Sequence, residues 1–598
     1  MDGQHQPENT VASREVGRSA SDVADGGGDQ RHLLTVVLED YFQVAPLRGV
    51  VKTEQWHLFE NRVEVNTRNA LDLLDEFGIK ATFFVLGWIA DEMPEVVREV
   101  ADRGHEIASK GYYHHSLRQL TAEEFRHDVR RSRAALERAT GTRVAGYRIG
   151  HGWFGPEDLW ALDVLADEGF AYDSSLRPIF REFAHDRARR FAFEHRHGDR
   201  TLWEFPLSTW SLGGWSFPIA GGNYLRQFPH ALMQRAVARW HRTYDSPFVM
   251  YFHVWELDPG QPRIRAAPLL ERIRQYRNLD KMPAIIRYYL ERYRFVGIGD
   301  YLELPRTPVD AEALAEAASE LALPAPRPRA TSQSATEGAG RASSETPTTS
   351  ERQPVTIVVP CYNESESLHF LANTLRGVEA SLEQRYDLRF VFVDDGSADG
   401  TPGLLEKIFG PLPNCSVVTH ETNRGVAAAI LTGIRSAETE IVCSMDCDCT
   451  YDPHQLQTFI PMLKDGVDMV TASPYHPEGQ VRNVPSWRLV LSRGLSLLYR
   501  GVLHHRFYTY TSCFRVYRRS AVVDLPVREG GFLGVVEMLA LLDLAGGRMA
   551  ECPAVLEVRL LGRAHMKVVR TILGHLRLLG RISWMRWRGG DAKPSYSS

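Results

Sequence analysis

The first 360 residues contain no cysteine, and the seven in the chain fall between Cys361 and Cys552. An odd number confined to one half is not a disulfide framework. No apolar run is long enough to cross a bilayer, and the opening residues, MDGQHQPENT, have neither the basic nor the apolar stretch of a secretory signal. A cytoplasmic protein is therefore expected. Positive charge is not in excess either: the formal net charge is -5, which argues against a nucleic-acid partner. Residues 1–30, rich in Gly, Asp, Ser and Gln, lack apolar periodicity and read as disordered. What is present, 43% hydrophobic and 24% charged, is ordinary globular protein, and 598 residues are too many for one core.

From residue 31 the pattern changes. A β-branched strand, His32 to Leu38, ends at Glu39-Asp40. Amphipathic helices then alternate with strands, each helix stopped by a glycine: Gly78, Gly104, Gly141 and Gly169. A glycine just past a helix supplies the left-handed residue that ends it. The alternation predicts a parallel sheet, open or closed into a barrel, with chemistry at the strand C-termini. Those termini carry Glu39 and Asp40, then Lys110, His114 and His115, then Arg148, Glu204 and His253. From 306 to 353 Ala, Pro, Ser and Thr take over, as in a flexible linker. The organisation expected is a disordered 1–30, a domain over 31–305, the linker, a second domain over 354–580 and a basic tail, 581–598.

The motifs EDYFQV, ATFFVLGW, GHEIAS and HVWELDPGQPR give the first domain a resemblance to the polysaccharide deacetylases, in the subgroup associated with exopolysaccharide gene clusters. The resemblance implies a distorted (β/α) barrel that removes N-acetyl groups from amino sugars. It puts Glu39 at the base position, Asp40 and His114 among the ligands of zinc or another divalent metal, Arg148 in an arginine motif and His253 as acid. Two features depart from it. Lys110 stands where the family has the first ligand histidine, and a protonated amine has no lone pair. Arg148-Ile149-Gly150 lacks the family's proline two residues after the arginine. Zinc sites of this kind rest on three protein ligands, so the expectation is loss or severe reduction of deacetylation. Either Lys110 replaces the metal as a fixed cation and the domain only holds a sugar, or His115 or another group completes a weakened site and the protein is bifunctional.

In the second half, Glu440 to Pro453 reads EIVCSMDCDCTYDP, a strand running into Asp446 and Asp448. Residues two apart in an extended segment point the same way. Both carboxylates then face one site at the strand's carboxyl end, where open α/β sheets bind ligands. Two hard oxygen donors suit Mg²⁺ or Mn²⁺ carrying a diphosphate, although such a pair can also cap a helix. Cys443, Cys447 and Cys449 are soft donors, and alternation turns Cys447 and Cys449 away from the carboxylates, so they read as small buried residues.

VVPCYNE, VDDGSADGT, NRGVAAAILTG and the DCD of 446–448, in this order, resemble family 2 glycosyltransferases and in detail the polyprenyl-phosphate sugar synthases. The resemblance implies a Rossmann-like domain of the GT-A type. Asp394, Asp395, Asn423, Arg424 and Asp446 would hold a nucleotide-sugar, and Asp446 and Asp448 would bind Mg or Mn. The acceptor implied is a polyprenyl phosphate or a glycan. A phosphate monoester is already ionised and needs only cations, for which Arg515, Arg559, Arg563 and Lys567 are candidates. Glu537 would be a base if the acceptor is a hydroxyl, or a capping charge. Thr509 and Cys513 replace the Asp and the Gly of the relatives' motif around Arg515. Beyond Arg559 the chain turns basic. Val569, Ile572, Leu573, Leu576 and Leu579 recur at helical spacing, Arg570, Arg577, Arg581 and Arg588 take another face, and Trp584 and Trp587 follow. A helix of that kind suits the anionic inner surface of the cell membrane, or packs on its own domain.

Overall fold

The computed structural model describes residues 30–179, 189–212, 215–310, 352–464, 466–484, 486–562 and 568–589. The expectations for 1–29, for the linker from 311 to 351 and for 590–598 lie outside them. The chain separates into two compact units, each with its own sheet.

In the first unit the apolar strand Arg31–Leu38 is central. It pairs in parallel with Val249–His253 on one side and Thr82–Val85 on the other, and at its start with Arg294–Val296. The ladder continues through Glu106–Ser109, Gly146–Tyr147, Tyr172–Asp173 and Arg200–Glu204, all parallel, and ends in the antiparallel strand Phe193–His197. The strands run parallel because helices return the chain between them. Helix Ala122–Thr140 shows how the sequence sets their limits. Thr121 Oγ1 accepts the N–H of Glu124 at 3.3 Å while the Glu124 carboxylate accepts the N–H of Thr121 at 2.8 Å, and Gly141, at φ 67°, ends the helix. Leu33, Leu34, Val36, Phe83, Phe84 and Val85 are fully buried, each such side chain contributing about 1.5–3 kcal/mol. The arrangement is the expected parallel sheet with returning helices, and among the described residues the ladder does not close into a full barrel.

The second unit is built on a seven-stranded mixed sheet. Its order is Cys415–Thr419, Tyr386–Asp394, Gln353–Cys361, Ile441–Ser444, Arg515–Arg518, Met469–Ser473 and Met549–Pro553. The first four are parallel, and Arg515–Arg518 is antiparallel to both neighbours. From Gln353–Cys361 the chain first works outward to Cys415–Thr419 and then returns to add Ile441–Ser444 on the other side. The order therefore reverses between Gln353–Cys361 and Ile441–Ser444, which leaves a crevice at their carboxyl ends. The C-terminal helix runs from Val568 to Gly589, so Arg581, Trp584 and Trp587 belong to it and not to a separate tail.

Two buried histidines in the first unit make its stability pH-dependent. His32 Nδ1 accepts the N–H of Phe248 and His105 Nδ1 that of Ala81, and burial lowers each ring from 6.5 to about 4. An unfolded chain takes up these protons near 6.5 while the native chain does so only near 4, so stability falls across that window as pH drops. Each ring accounts for up to about 3 kcal/mol. Thermal melting between pH 7 and pH 4 should show this loss, and His105→Gln, which keeps an acceptor for Ala81, should make the slope shallower.

Candidate active sites

The parallel strands of the first unit deliver Glu39, Lys110, Arg148, Glu204 and His253 to one edge. Lys110 is buried and its ammonium meets three acceptors: Gly150 O at 2.8 Å, His114 Nε2 at 2.9 Å and Glu39 Oε2 at 3.1 Å. The ammonium thus makes hydrogen bonds to Gly150 and His114 and an ion pair with Glu39, whose Oε2 has no hydrogen-bond partner among the described residues. His114 Nε2 also lies 3.2 Å from Glu39 Oε2, and His253 Nε2 3.4 Å from Glu39 Oε1. Burial alone would raise the Glu39 carboxyl, but the Lys110 ammonium beside it does most to hold it well below the usual range. Burial, with Lys110 beside it, lowers His114 to about 4, so the ring is neutral and offers its lone pair to the ammonium. His253 is braced by Glu256, 3.3 Å from Nδ1, which in turn takes Arg226 Nε at 2.7 Å.

Asp40 is not with them. Its Oδ1 accepts the N–H of Tyr41 at 2.8 Å, and its Oδ2 accepts those of Arg62 at 2.8 Å and Val63 at 3.1 Å. The start of helix Val63–Asp75 leaves N–H groups without intrahelical partners, and Asp40 satisfies them. It is Glu39 that reaches His114, where Asp40 was expected. The Lys110 ammonium puts a positive charge beside both Glu39 and His114. Arg148 is likewise buried. It donates to Ser174 O and Thr35 Oγ1 at 3.0 Å each and to Ser174 Oγ at 2.8 Å, over the ring of Phe84. Glu204 accepts the N–H of Leu176 at 2.9 Å, and burial next to Asp173 holds its carboxyl well above the ordinary range.

In the second unit the crevice collects Glu364, Asp446, Asp448 and Arg559. Burial, with Asp448 alongside, raises Asp446 to about 7. Burial also raises Glu364 to about 7, against the pull of Arg559. Arg559 Nη2 contacts both oxygens of Glu364, its Nε donates to Leu561 O at 2.7 Å and lies 3.5 Å from Asp448 Oδ2. Three carboxylates thus face one guanidinium, and a divalent cation fits the charge left over. Among the described residues no three His, Cys, Asp or Glu side chains form a metal-holding set. Mg²⁺ and Mn²⁺ sites that take one or two carboxylates complete their shell with substrate phosphate and water. Glu364 has no role in the sequence reading above; its only signal there is its position at the end of VVPCYNE.

Asp395 organises the neighbouring loop. Its oxygens accept the N–H groups of Arg424 at 2.8 Å and Gly425 at 2.7 Å and contact His420 Nδ1 at 2.7 Å. The Asn423 and Arg424 side chains are exposed beside it. Asp394 is buried, accepts the N–H of Ser397 at 3.4 Å through Oδ1 and leaves Oδ2 without a hydrogen-bond partner. Thr509, where the relatives have Asp, bonds Ser473 across 3.0 Å, and Cys513 contacts Asp446. Cys447 is buried and Cys449 half-buried at φ 52°.

Two expectations change. Arg515 is fully buried and donates to Val535 O at 2.7 Å and Tyr510 O at 2.8 Å. Its two terminal nitrogens are thus taken by backbone carbonyls inside the core, away from solvent. Glu537 is also buried: it accepts the N–H groups of Arg528 at 3.0 Å and Glu529 at 2.8 Å and pairs with Arg581 Nη2 at 2.6 Å. It fastens the C-terminal helix, which matches the second of the two readings, a structural charge. Arg563 and Lys567 lie outside the described residues.

Residues 356–525 match the family model for glycosyl transferase family 2, residues 52–165 that for polysaccharide deacetylase, and residues 174–303 a domain of unknown function (DUF3473). His253 falls in the last of these, and Glu39 and Asp40 precede all three. Over 222 residues the chain is 30% identical to the polyprenol monophosphomannose synthase of Mycolicibacterium smegmatis, covering 36% of this chain and 81% of that protein. It is 27% identical over 237 residues to the dolichol-phosphate mannosyltransferase of Pyrococcus furiosus, covering 39% of this chain and 64% of the length of that relative. Among solved structures, glucosyl-3-phosphoglycerate synthase from Mycobacterium tuberculosis is 15% identical, with 39% of this chain and 79% of that one covered and a TM-score of 0.29.

Glu537→Ala should destabilise the second unit by roughly 3 kcal/mol, because Arg581 and two buried N–H groups lose their partner; chemical unfolding of the full chain measures it. The chain belongs to glycosyltransferase family 2 through its second half, and carries a polysaccharide deacetylase domain in its first.

Proposed function

We propose that the second unit transfers a sugar from a nucleotide-sugar to a polyprenyl phosphate at the surface of the cell membrane. The observation that carries this reading is the under-neutralised pair Asp446–Asp448 at the reversal of strand order, next to a loop held by Asp395. Bound there, Mg²⁺ or Mn²⁺ would supply a Lewis acid for charge on the leaving diphosphate. Asp446 and Asp448 would hold it, and Asp395 keeps the Asn423–Gly425 loop at the nucleotide side. An ionised phosphate acceptor requires no general base, in keeping with a Glu537 already spent on the fold. The relatives named above are a polyprenol monophosphomannose synthase and a dolichol-phosphate mannosyltransferase, which makes mannose the first sugar to test.

A lipid acceptor requires access to a membrane. No helix among the described residues is long and apolar enough to cross one. Two helices of this unit, Ser486–Val502 and Val568–Gly589, pack together through Tyr499 OH and His575 Nδ1 at 3.0 Å. Both leave large apolar residues in solvent: Val490, Leu491, Leu497 and Leu498 on the first, Ile572, Leu573, Leu576, Trp584 and Trp587 on the second. The apolar face read from the sequence is split, since Leu579 packs inward with Leu578 and Ile582. Exposed apolar residues interspersed with Arg577 and Arg588 suit an anionic interface.

For the first unit the reading is a barrel that has given up metal-dependent amide hydrolysis and retains the capacity to hold a saccharide. What supports it is the Lys110 ammonium, hydrogen-bonded to His114 and Gly150 and ion-paired with Glu39.

The test uses the full chain with radiolabelled GDP-mannose and UDP-sugars, polyprenyl phosphate in anionic vesicles, and Mn²⁺. Lipid-linked sugar should form, a chelator should abolish it, and Asp448→Asn should lower turnover by on the order of 100-fold. Equal turnover by Asp448→Asn would refute the reading. Leu573→Glu with Leu576→Glu should reduce vesicle co-sedimentation and transfer to the long-chain acceptor, while transfer to a short soluble polyprenyl phosphate persists.

A further inference from the structure

The crevice of the second unit contains a cation of its own. Arg559 lies between Glu364, at the end of strand Gln353–Cys361, and Asp448, just past strand Ile441–Ser444. The two contacts differ in kind. Towards Glu364, Arg559 Nη2 touches both carboxylate oxygens, and towards Asp448 there is one looser contact, Nε to Oδ2 at 3.5 Å. Charged pairs with several short hydrogen bonds are the strong ones, and a single long contact is the weak one.

Glu364 is itself held for this task. Its backbone N–H donates to Thr401 Oγ1 at 2.8 Å, and Ser367 Oγ donates to its Oε2 at 2.9 Å. Gly562 leaves the space the pair occupies: at φ 71°, a Cβ added there would come within 2.6 Å of Arg559 Nη2 and 3.1 Å of Glu364 Oε2. The backbone thus passes close over the ion pair, and only the absence of a side chain at that residue allows it.

We propose that Arg559 is a resident counter-ion of the aspartate pair, exchanged for the divalent metal when the donor binds, and that Glu364 is the positioning residue that keeps Arg559 at the rim of the site during the exchange. Asp448, held by the weaker contact, would be the carboxylate released to a metal, while Arg559 would keep its stronger contact to Glu364. Arg559 then stands at the edge of the crevice with its remaining N–H groups available to an anionic phosphate oxygen. The site thereby resists metal alone, and favours metal that arrives with a diphosphate able to compensate Arg559 for the loss of Asp448. This inference rests on the reading of Asp446 and Asp448 as metal-binding residues.

The experiment titrates the full chain with Mn²⁺ alone and then with Mn²⁺ and GDP or UDP, reading free Mn²⁺ by electron paramagnetic resonance. Removing the competitor in Arg559→Gln should tighten binding of Mn²⁺ alone by about five-fold, and Glu364→Gln, which leaves Arg559 to Asp448 only, should weaken it by about the same factor. The advantage of the nucleotide-assisted over the metal-alone affinity should shrink in Arg559→Gln. Opposite changes from two partners of one ion pair are not what a purely structural role gives, and if either variant fails to fold the other still reads the sign. Mn²⁺ binding equal in wild type and the folded variants overturns the exchange while leaving the metal reading intact. Absence of Mn²⁺ binding in wild type, with and without nucleotide, overturns both.

Discussion

Carboxylates gathered at the ends of strands must be neutralised, and how they are neutralised separates the two halves of this chain. Lys110 bonds a ring nitrogen and a carbonyl and forms an ion pair with Glu39, so positive charge from the protein itself stands against that carboxylate. Arg559 meets Glu364 and Asp448 but leaves Asp446 under-compensated, which is why that carboxyl is pushed up towards 7 by burial and by its neighbour. In the first arrangement the protein supplies the cation itself. The second is short of positive charge.

The rest of each unit serves these strand ends. In the first, eight parallel strands bring residues more than 200 positions apart, Glu39 and His253, within 3.4 Å of each other. In the second, the reversal of strand order between Gln353–Cys361 and Ile441–Ser444 opens the crevice, and Asp395 pins the Asn423–Gly425 loop to its flank. Buried cations that read as ligand-binding groups, Arg148 and Arg515, hold carbonyl and hydroxyl oxygens instead. They stabilise the scaffold from within, because a buried guanidinium left without acceptors would be costly.

Much of this was legible in the amino-acid order. Helical periodicity closed by Gly141 placed a helix, and the resemblance carried by the strand-end motifs named both folds, because local pattern and turn chemistry are written in neighbouring residues. Which of two adjacent carboxylates turns inward was not: Asp40 is drawn off by the start of a helix at Val63, a demand set by tertiary placement. Arg515 and Arg559 look alike in sequence and differ in burial and in partners, backbone carbonyls for the first and carboxylates for the second. Glu537 did carry a usable signal, since it sits in GVVEMLALL, a helix apolar on all sides, and such helices are buried. Glu364 was visible as a residue of VVPCYNE, but its partner lies 195 positions away.

The measurement that tests this account most directly is metal stoichiometry of the full chain, by mass spectrometry after equilibration with Zn²⁺ or with Mn²⁺ and a nucleoside diphosphate. A barrel closed by Lys110 and a crevice completed by metal predict one Mn²⁺ per chain, lost in the double variant Asp446→Asn, Asp448→Asn, and no tightly held Zn²⁺. A tightly bound Zn²⁺ that disappears with His114→Ala, or Mn²⁺ that survives loss of both aspartates, would contradict it.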